Sequence, residues 1–343
     1  MDIFLIILLF IVLYKLKLNN LGIKAALSIE QTTCVNGIFV LLIFASHFFL
    51  DLDLNNRLNF PVTFIYPHIR NAMGQLVVVT FLFYSGYGIM EQIQLRGREY
   101  IKCIPKKRIL KTWIHYMMAV SLFLVMDLII GNIYDIKTII LSFLCWESIG
   151  NSNWYVFAIL MMYLFTYISF SLFDGNKSLV FLFFLTFVYA ILMFFIKTTC
   201  WWDTVIVFPV GAMISLYKNK VIDFFNGKSN FYITFILCLL FSAILFMAIR
   251  HVGYYTFLFP IFSVFIVFNI VLCTSKIQIC NPILLFLGKY SFEIYILQRI
   301  PMALLKECFS SVPVYLIVTL LTTIVISIFF KRLEKMLDFR CFV

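Results

Sequence analysis

Charge is what this chain has least of. Only 13% of its 343 residues are Asp, Glu, Lys or Arg, against 63% hydrophobic, and the mean hydropathy is +1.02. A soluble domain of this length needs far more polar surface, so a soluble fold is excluded. The sequence also lacks any Cys-x-x-Cys pair. Its nine cysteines, at 34, 103, 145, 200, 238, 273, 280, 308 and 341, are scattered. That scatter argues against a zinc site or a disulfide framework and suits small residues in a membrane core. No internal repeat, low-complexity tract or long linker appears, which leaves no room for a separate soluble catalytic module. The expectation is one integral-membrane domain over residues 1–343, with a core of roughly 30–330.

Long apolar runs fill the space that charge leaves empty. Eleven are legible, at about 3–18, 33–50, 72–91, 109–131, 154–173, 179–197, 202–217, 231–249, 254–273, 283–304 and 313–330. They predict an all-α fold: a polytopic transmembrane helix bundle with a ten-helix core and one extra N-terminal span. Aromatics reach 19%, with 41 Phe, as befits lipid-facing helices. The first run begins Met-Asp, with no basic residue ahead of it and no small-residue cleavage site behind. It reads as an uncleaved anchor rather than a signal peptide.

The net charge of +11 would suit a nucleic-acid partner, but the cations cluster in short loops between apolar runs. That clustering is the pattern of membrane orientation. With the 92–111 loop on the cytoplasmic side, 20 of the 27 Lys and Arg fall inside and 7 outside. The split predicts an external N-terminus, a cytoplasmic C-terminus and an external loop with a short interfacial helix at 134–153.

Polar residues inside the apolar runs are the candidates for function, because each is costly there unless it faces protein or water. The run TCVNGIFVLLIFASHF carries His47, with Asn36 about 16 Å away along a helix. The plainer alternative is a histidine capping a helix end near the headgroups. Segment 283–304 is the most polar, with Gly288, Lys289, Ser291, Glu293, Gln298, Arg299 and Pro301. Such polarity fits helices that line a cavity or pack on protein.

Four stretches, in order, are TTCVNGIFVLLIFASHF with His47, VTFLFYSGYGIM with Tyr84, Ser85 and Gly86, PKKRILKTW with Arg108 and Lys111, and SNWYVFAIL with Asn153 and Trp154. With WWDTVIVFPVGAM and GKYSFEIYIL further on, they resemble the membrane-bound acyltransferase family 3, the integral-membrane O-acetyltransferases of cell-envelope polysaccharides. The sequence departs from the family pattern at three places. Asn36 stands where a basic residue usually lies eleven positions before the His. Lys111 replaces the second Arg of an Arg-x-x-Arg pair. Gln298 stands where many members have a His.

The resemblance implies transfer of an acyl group, acetyl by expectation, from acetyl-CoA on the cytoplasmic side to a hydroxyl of an envelope polysaccharide or lipid-linked saccharide. It implies a bacterial-type cytoplasmic membrane, acyl-CoA and membrane lipid as partners, no nucleic acid and no metal. His47 is the expected base, because a sugar hydroxyl is a poor nucleophile and an imidazole is suited to take its proton. Arg108 and Lys111, at i, i+3 on one helix face, are expected to hold CoA phosphates together with Asn36. The same two cations also suit simple positive-inside anchoring. Asn153, Trp154, Glu293, Tyr84 and Ser85 are the candidate substrate-binding residues. Trp154 equally suits an interfacial belt, and Ser85-Gly86 a close helix contact. A transporter or flippase for an envelope precursor is the rival class, but it predicts Gly/Pro-broken spans in two related halves, and no such symmetry is visible.

Overall fold

The structure, a computed structural model, describes residues 1–18, 22–54, 57, 64–252 and 257–341, without the side chains of 338–341. Its helices, in chain order, are α1 (Asp2–Leu13), α2 (Gly22–Ala26), α3 (Ile29–Leu54), α4 (Tyr66–Met73), α5 (Val79–Arg96), α6 (Arg98–Ile104), α7 (Lys111–Ile130), α8 (Ile136–Phe143) and α9 (Trp154–Leu172). They continue with α10 (Asn176–Ile196), α11 (Val207–Leu216), α12 (Lys218–Asn226), α13 (Lys228–Val252), α14 (Leu258–Lys276), α15 (Pro282–Lys289), α16 (Ser291–Leu297), α17 (Arg299–Leu305) and α18 (Val312–Cys341). Extended backbone among the described residues is limited to one antiparallel pairing of Lys17–Leu18 with Ile277–Gln278. The chain is thus an all-α polytopic bundle. Apolar helices prevail because every backbone N–H and C=O then pairs within its own segment, as a lipid environment demands.

Among the described residues eight helical stretches are long and apolar enough to cross a membrane, and they match eight of the eleven apolar runs. The other three runs are built differently. The first forms the 12-residue α1, about 18 Å long, and the run at 202–217 yields the 10-residue α11, about 15 Å long. The run at 283–304 is divided into α15, α16 and α17, with breaks at Tyr290 and Gln298. Two of the long stretches are irregular as well. A 3₁₀ turn at Gly74–Val78 separates α4 from α5, and a π turn at Pro105–Leu110 separates α6 from α7.

The centre of the bundle is held by backbone contact rather than by bulk. A Cβ on Gly86 of α5 would overlap the Phe208 carbonyl, and one on Gly211 of α11 would overlap that of Phe83. The same reciprocity joins α3 to α15, where Gly37 lies against Leu284 and Gly288 against Thr33. These two pairs make the most extensive helix contacts in the molecule. Lipid tails are as apolar as leucine, so association in a membrane draws on this close packing more than on hydrophobic burial. By contrast α13 and α18 are only 17% and 22% buried over their apolar windows, against 56% for α3, so they form the lipid-facing rim. Gly288→Val is expected to lower stability by about 1–3 kcal/mol through overpacking, read as an earlier thermal unfolding transition in detergent. A transition unchanged from wild type would mean that α15 moves away from α3 freely.

Candidate active site

One face of α3 lines two cavities. Thr32, Asn36 and Ile43 border the first, of about 420 Å³, and Ile43, Ser46, His47 and Leu50 border the second, of about 530 Å³. From Thr32 to Leu50 the helix rises about 27 Å, close to the thickness of a bilayer core. The two cavities share three wall residues, Ile43, Val78 and Tyr295. A passage along α3 is therefore divided at one level, and His47 lies one turn beyond it.

The first cavity gathers residues far apart in sequence. Asn36 comes from α3, Tyr84 and Ser85 from α5, Arg108 from the π turn, and Tyr155 and Tyr163 from α9. Arg108 Nε donates to the Tyr100 hydroxyl at 2.9 Å, and Tyr163 interacts with the same guanidinium. Asn36 Oδ1 and the Tyr84 hydroxyl are buried without hydrogen-bond partners among the described residues. Buried polar atoms of this kind are normally satisfied, so each is available to a bound group. Lys111 does not line the cavity. The i, i+3 expectation assumes an α-helix. The wider π turn instead puts Thr112, four positions after Arg108, on the cavity wall.

The second cavity holds His47, Trp154, Arg70, Asn71, Gln75, Asp203 and Arg299 among its walls. Irregular backbone brings most of them there. Arg70 and Asn71 end α4 just before the 3₁₀ turn that carries Gln75, and Gly74 opens that turn with φ of +47°, where a side chain would be strained. Arg299 follows the break at Gln298. The same break presents Gln298 to the catalytic candidate: its Nε2 lies 2.9 Å from His47 Nδ1 and donates to the Tyr295 carbonyl at 3.2 Å.

The Gln298 carboxamide decides what His47 can do. With its nitrogen facing the ring, Nδ1 is an acceptor and neutral His47 carries its proton on Nε2. In that orientation Gln298 Oε1 is buried with no partner among the described residues. Turned over, the carboxamide would accept from Nδ1–H and leave Nε2 free as a base, at the expense of the Tyr295 contact. The tautomer is thus coupled to one side-chain rotation.

Tyr84 and Ser85 line the first cavity with Arg108. Two other candidates sit where the sequence reading did not put them. Asn153 lines neither cavity. It is buried, and its Nδ2 donates to the Cys145 carbonyl at 3.0 Å, tying down the loop ahead of α9. Glu293 is also away from His47: its Oε1 pairs with Lys331 Nζ at 2.9 Å. Among the lining residues given no site role from sequence are Arg70, Asp203, Tyr295 and Arg299. Two of these, Arg70 and Arg299, belong to the seven cations on the side where the orientation count leaves few, and that rarity was the available signal.

A family model described as an acyltransferase domain matches residues 33–332, so the chain belongs to acyltransferase family 3. No curated protein and no solved structure is a significant match to it. The match includes His47, the whole lining of the second cavity and all of the first except Thr32, and excludes α1 and α2. The protein is an acyltransferase of the membrane.

Proposed function

We propose that the protein moves an acetyl group from cytoplasmic acetyl-CoA to a hydroxyl of an envelope polysaccharide or of its lipid-linked precursor. The observation that carries this reading is the pair of cavities that share Ile43, Val78 and Tyr295, one walled by Arg108 and the other by His47 and Trp154. A donor and an acceptor approaching from opposite faces would meet at the one level where a base is available, and the nucleotide would not need to cross the membrane.

Arg108 would hold phosphate, since a guanidinium pairs with it through two parallel hydrogen bonds. The unpartnered Asn36 and Tyr84 fit the amide groups of a pantetheine arm, which offers both donors and acceptors. Tyr155, Ile159 and Phe292 close the first cavity with apolar surface and exclude water from the thioester. His47, in its Nδ1–H form, takes the proton of the attacking hydroxyl as the new C–O bond forms. It returns that proton to the departing sulfur as the C–S bond breaks, so the enzyme ends in its starting state.

The decisive experiment uses purified protein, radiolabelled acetyl-CoA and isolated envelope glycan. Label on the glycan supports the reading. Consumption of the thioester without glycan labelling would remove the acceptor assignment. Orientation has its own test. A reporter fused after Val343 is expected in the cytoplasm, and a maleimide that cannot cross membranes is expected to label Ile133→Cys from outside in a Cys308→Ser background. Ile133 is exposed, in the loop before α8. Asn56, just after α3 in sequence, is expected on the same side but, like Val343, lies outside the described residues. An external reporter would mean that the number of crossings is even.

A further inference from the structure

The second cavity carries more positive charge than a neutral sugar requires. Two guanidinium groups face it, Arg70 from the end of α4 and Arg299 from the start of α17. Among the described residues each is anchored through a single nitrogen. Arg70 Nε donates to Ser46 Oγ at 3.3 Å, with its carbon 5.3 Å from the centre of the Phe49 ring, and Arg299 Nη1 donates to the Gly150 carbonyl at 3.2 Å. A guanidinium has five N–H donors, so most of their capacity is turned elsewhere. Among the described residues neither arginine is in a salt bridge, nor is Asp203, the one carboxylate of the lining. Even with Asp203 ionised, the lining sets two cations against one anion, and the Asp51 carboxylate, outside the lining, acts on Arg299 through space.

Such an arrangement is unfavourable by itself. Two like charges beside a cavity between apolar helices repel each other more strongly than they would in water, and arginine recognises carboxylate and phosphate in a bidentate geometry. The charges also bear on the reaction. Both guanidiniums act through space on the His47 ring. A base that takes a proton becomes a cation, and two neighbouring cations oppose that step. An anion seated against them cancels the opposition at the moment the hydroxyl proton moves.

We propose that the acceptor is anionic, and that its carboxylate or phosphate is held by Arg70 and Arg299 next to His47. This rests on the acyl-transfer reading above and narrows it. The acceptor then carries either a uronic-acid-type carboxylate or a phosphate from a phosphodiester or lipid-phosphate linkage, within reach of the hydroxyl that is acetylated. The charge is part of catalysis, so a neutral sugar that enters the same cavity turns over slowly.

The test uses the full-length protein in detergent with three probes: methyl β-D-glucuronide, glucose 1-phosphate and methyl β-D-glucoside. Binding is followed by calorimetry, and transfer from radiolabelled acetyl-CoA is followed in parallel. Wild type is expected to bind at least one anionic probe and to acetylate it at least about tenfold faster than the glucoside. Which of the two anions wins separates the carboxylate source from the phosphate source. Arg299→Gln and Arg70→Gln are each expected to lower the anionic-to-neutral ratio about tenfold or more, the lower end for a charge-assisted contact. Arg299→Lys keeps the charge and is expected to recover part of the preference, which a folding defect would not allow. Anion binding that depends on these arginines, with no transfer to any probe, would uphold the anion site and count against acyl transfer. Three results overturn the proposal: no anionic probe bound by wild type, equal turnover of glucuronide, phosphate and glucoside, or an anion preference unchanged in both Gln variants.

Discussion

His47→Ala is expected to lower acyl transfer by about 10²–10⁴-fold, the usual contribution of a positioned general base. The protein should still be made and inserted, because His47 is half-buried against a cavity and its removal opens no void in the packed core. His47→Gln should fail as completely, since an amide hydrogen-bonds without taking up a proton. The effect reaches through Gln298. A carboxylate only accepts, so Gln298→Glu would hold the proton on Nδ1 and keep Nε2 free for the substrate. Gln298→Glu is therefore expected to sustain transfer, while Gln298→Leu, which supports neither tautomer, slows it. Turnover near wild type in either His47 variant would remove the base assignment. Glu slower than Leu at position 298 would mean that His47 acts as a donor from Nε2.

The second large effect is expected at the other cavity. Arg108→Ala should raise the apparent KM for acetyl-CoA by roughly 10- to 150-fold, the range for a lost charge-assisted contact of about 1.5–3 kcal/mol. Acceptor affinity should change less, because Arg108 and Trp154 border different cavities. Tyr100→Phe removes the hydroxyl that steadies Arg108 Nε and should give a smaller shift in the same direction. Lys111→Ala is expected to change CoA binding little, because its side chain is not on the cavity wall. Lys106→Ala, an exposed position, serves as the control. Calorimetric titration of detergent-solubilised protein with acetyl-CoA measures all four. Unchanged CoA affinity in Arg108→Ala would return that residue to an anchoring role.

The apolar runs determined the class and most of the helices without any tertiary information. An unbroken stretch of 18 or more apolar residues has few stable states other than a spanning helix, whatever surrounds it. The same reasoning picked out His47, since an imidazole in such a run needs a local purpose. The family resemblance added Tyr84, Ser85 and Arg108, which the fold gathers with Asn36 around one cavity.

What the sequence could not decide lies where the helices stop being regular. The 3₁₀ turn after α4, the π turn before α7 and the break at Gln298 each rotate side chains away from the faces that α-helical periodicity predicts. They bring Arg70, Thr112, Gln298 and Arg299 to the positions they hold. Glu293 went to Lys331 and Asn153 to a loop carbonyl for a related reason: a buried polar group takes whichever partner the packing supplies. Composition and periodicity are local, so they determined that this is a membrane bundle with a histidine in its interior. Which groups meet that histidine depends on contacts hundreds of residues apart, such as Gln298 with His47, and only the tertiary structure decided those.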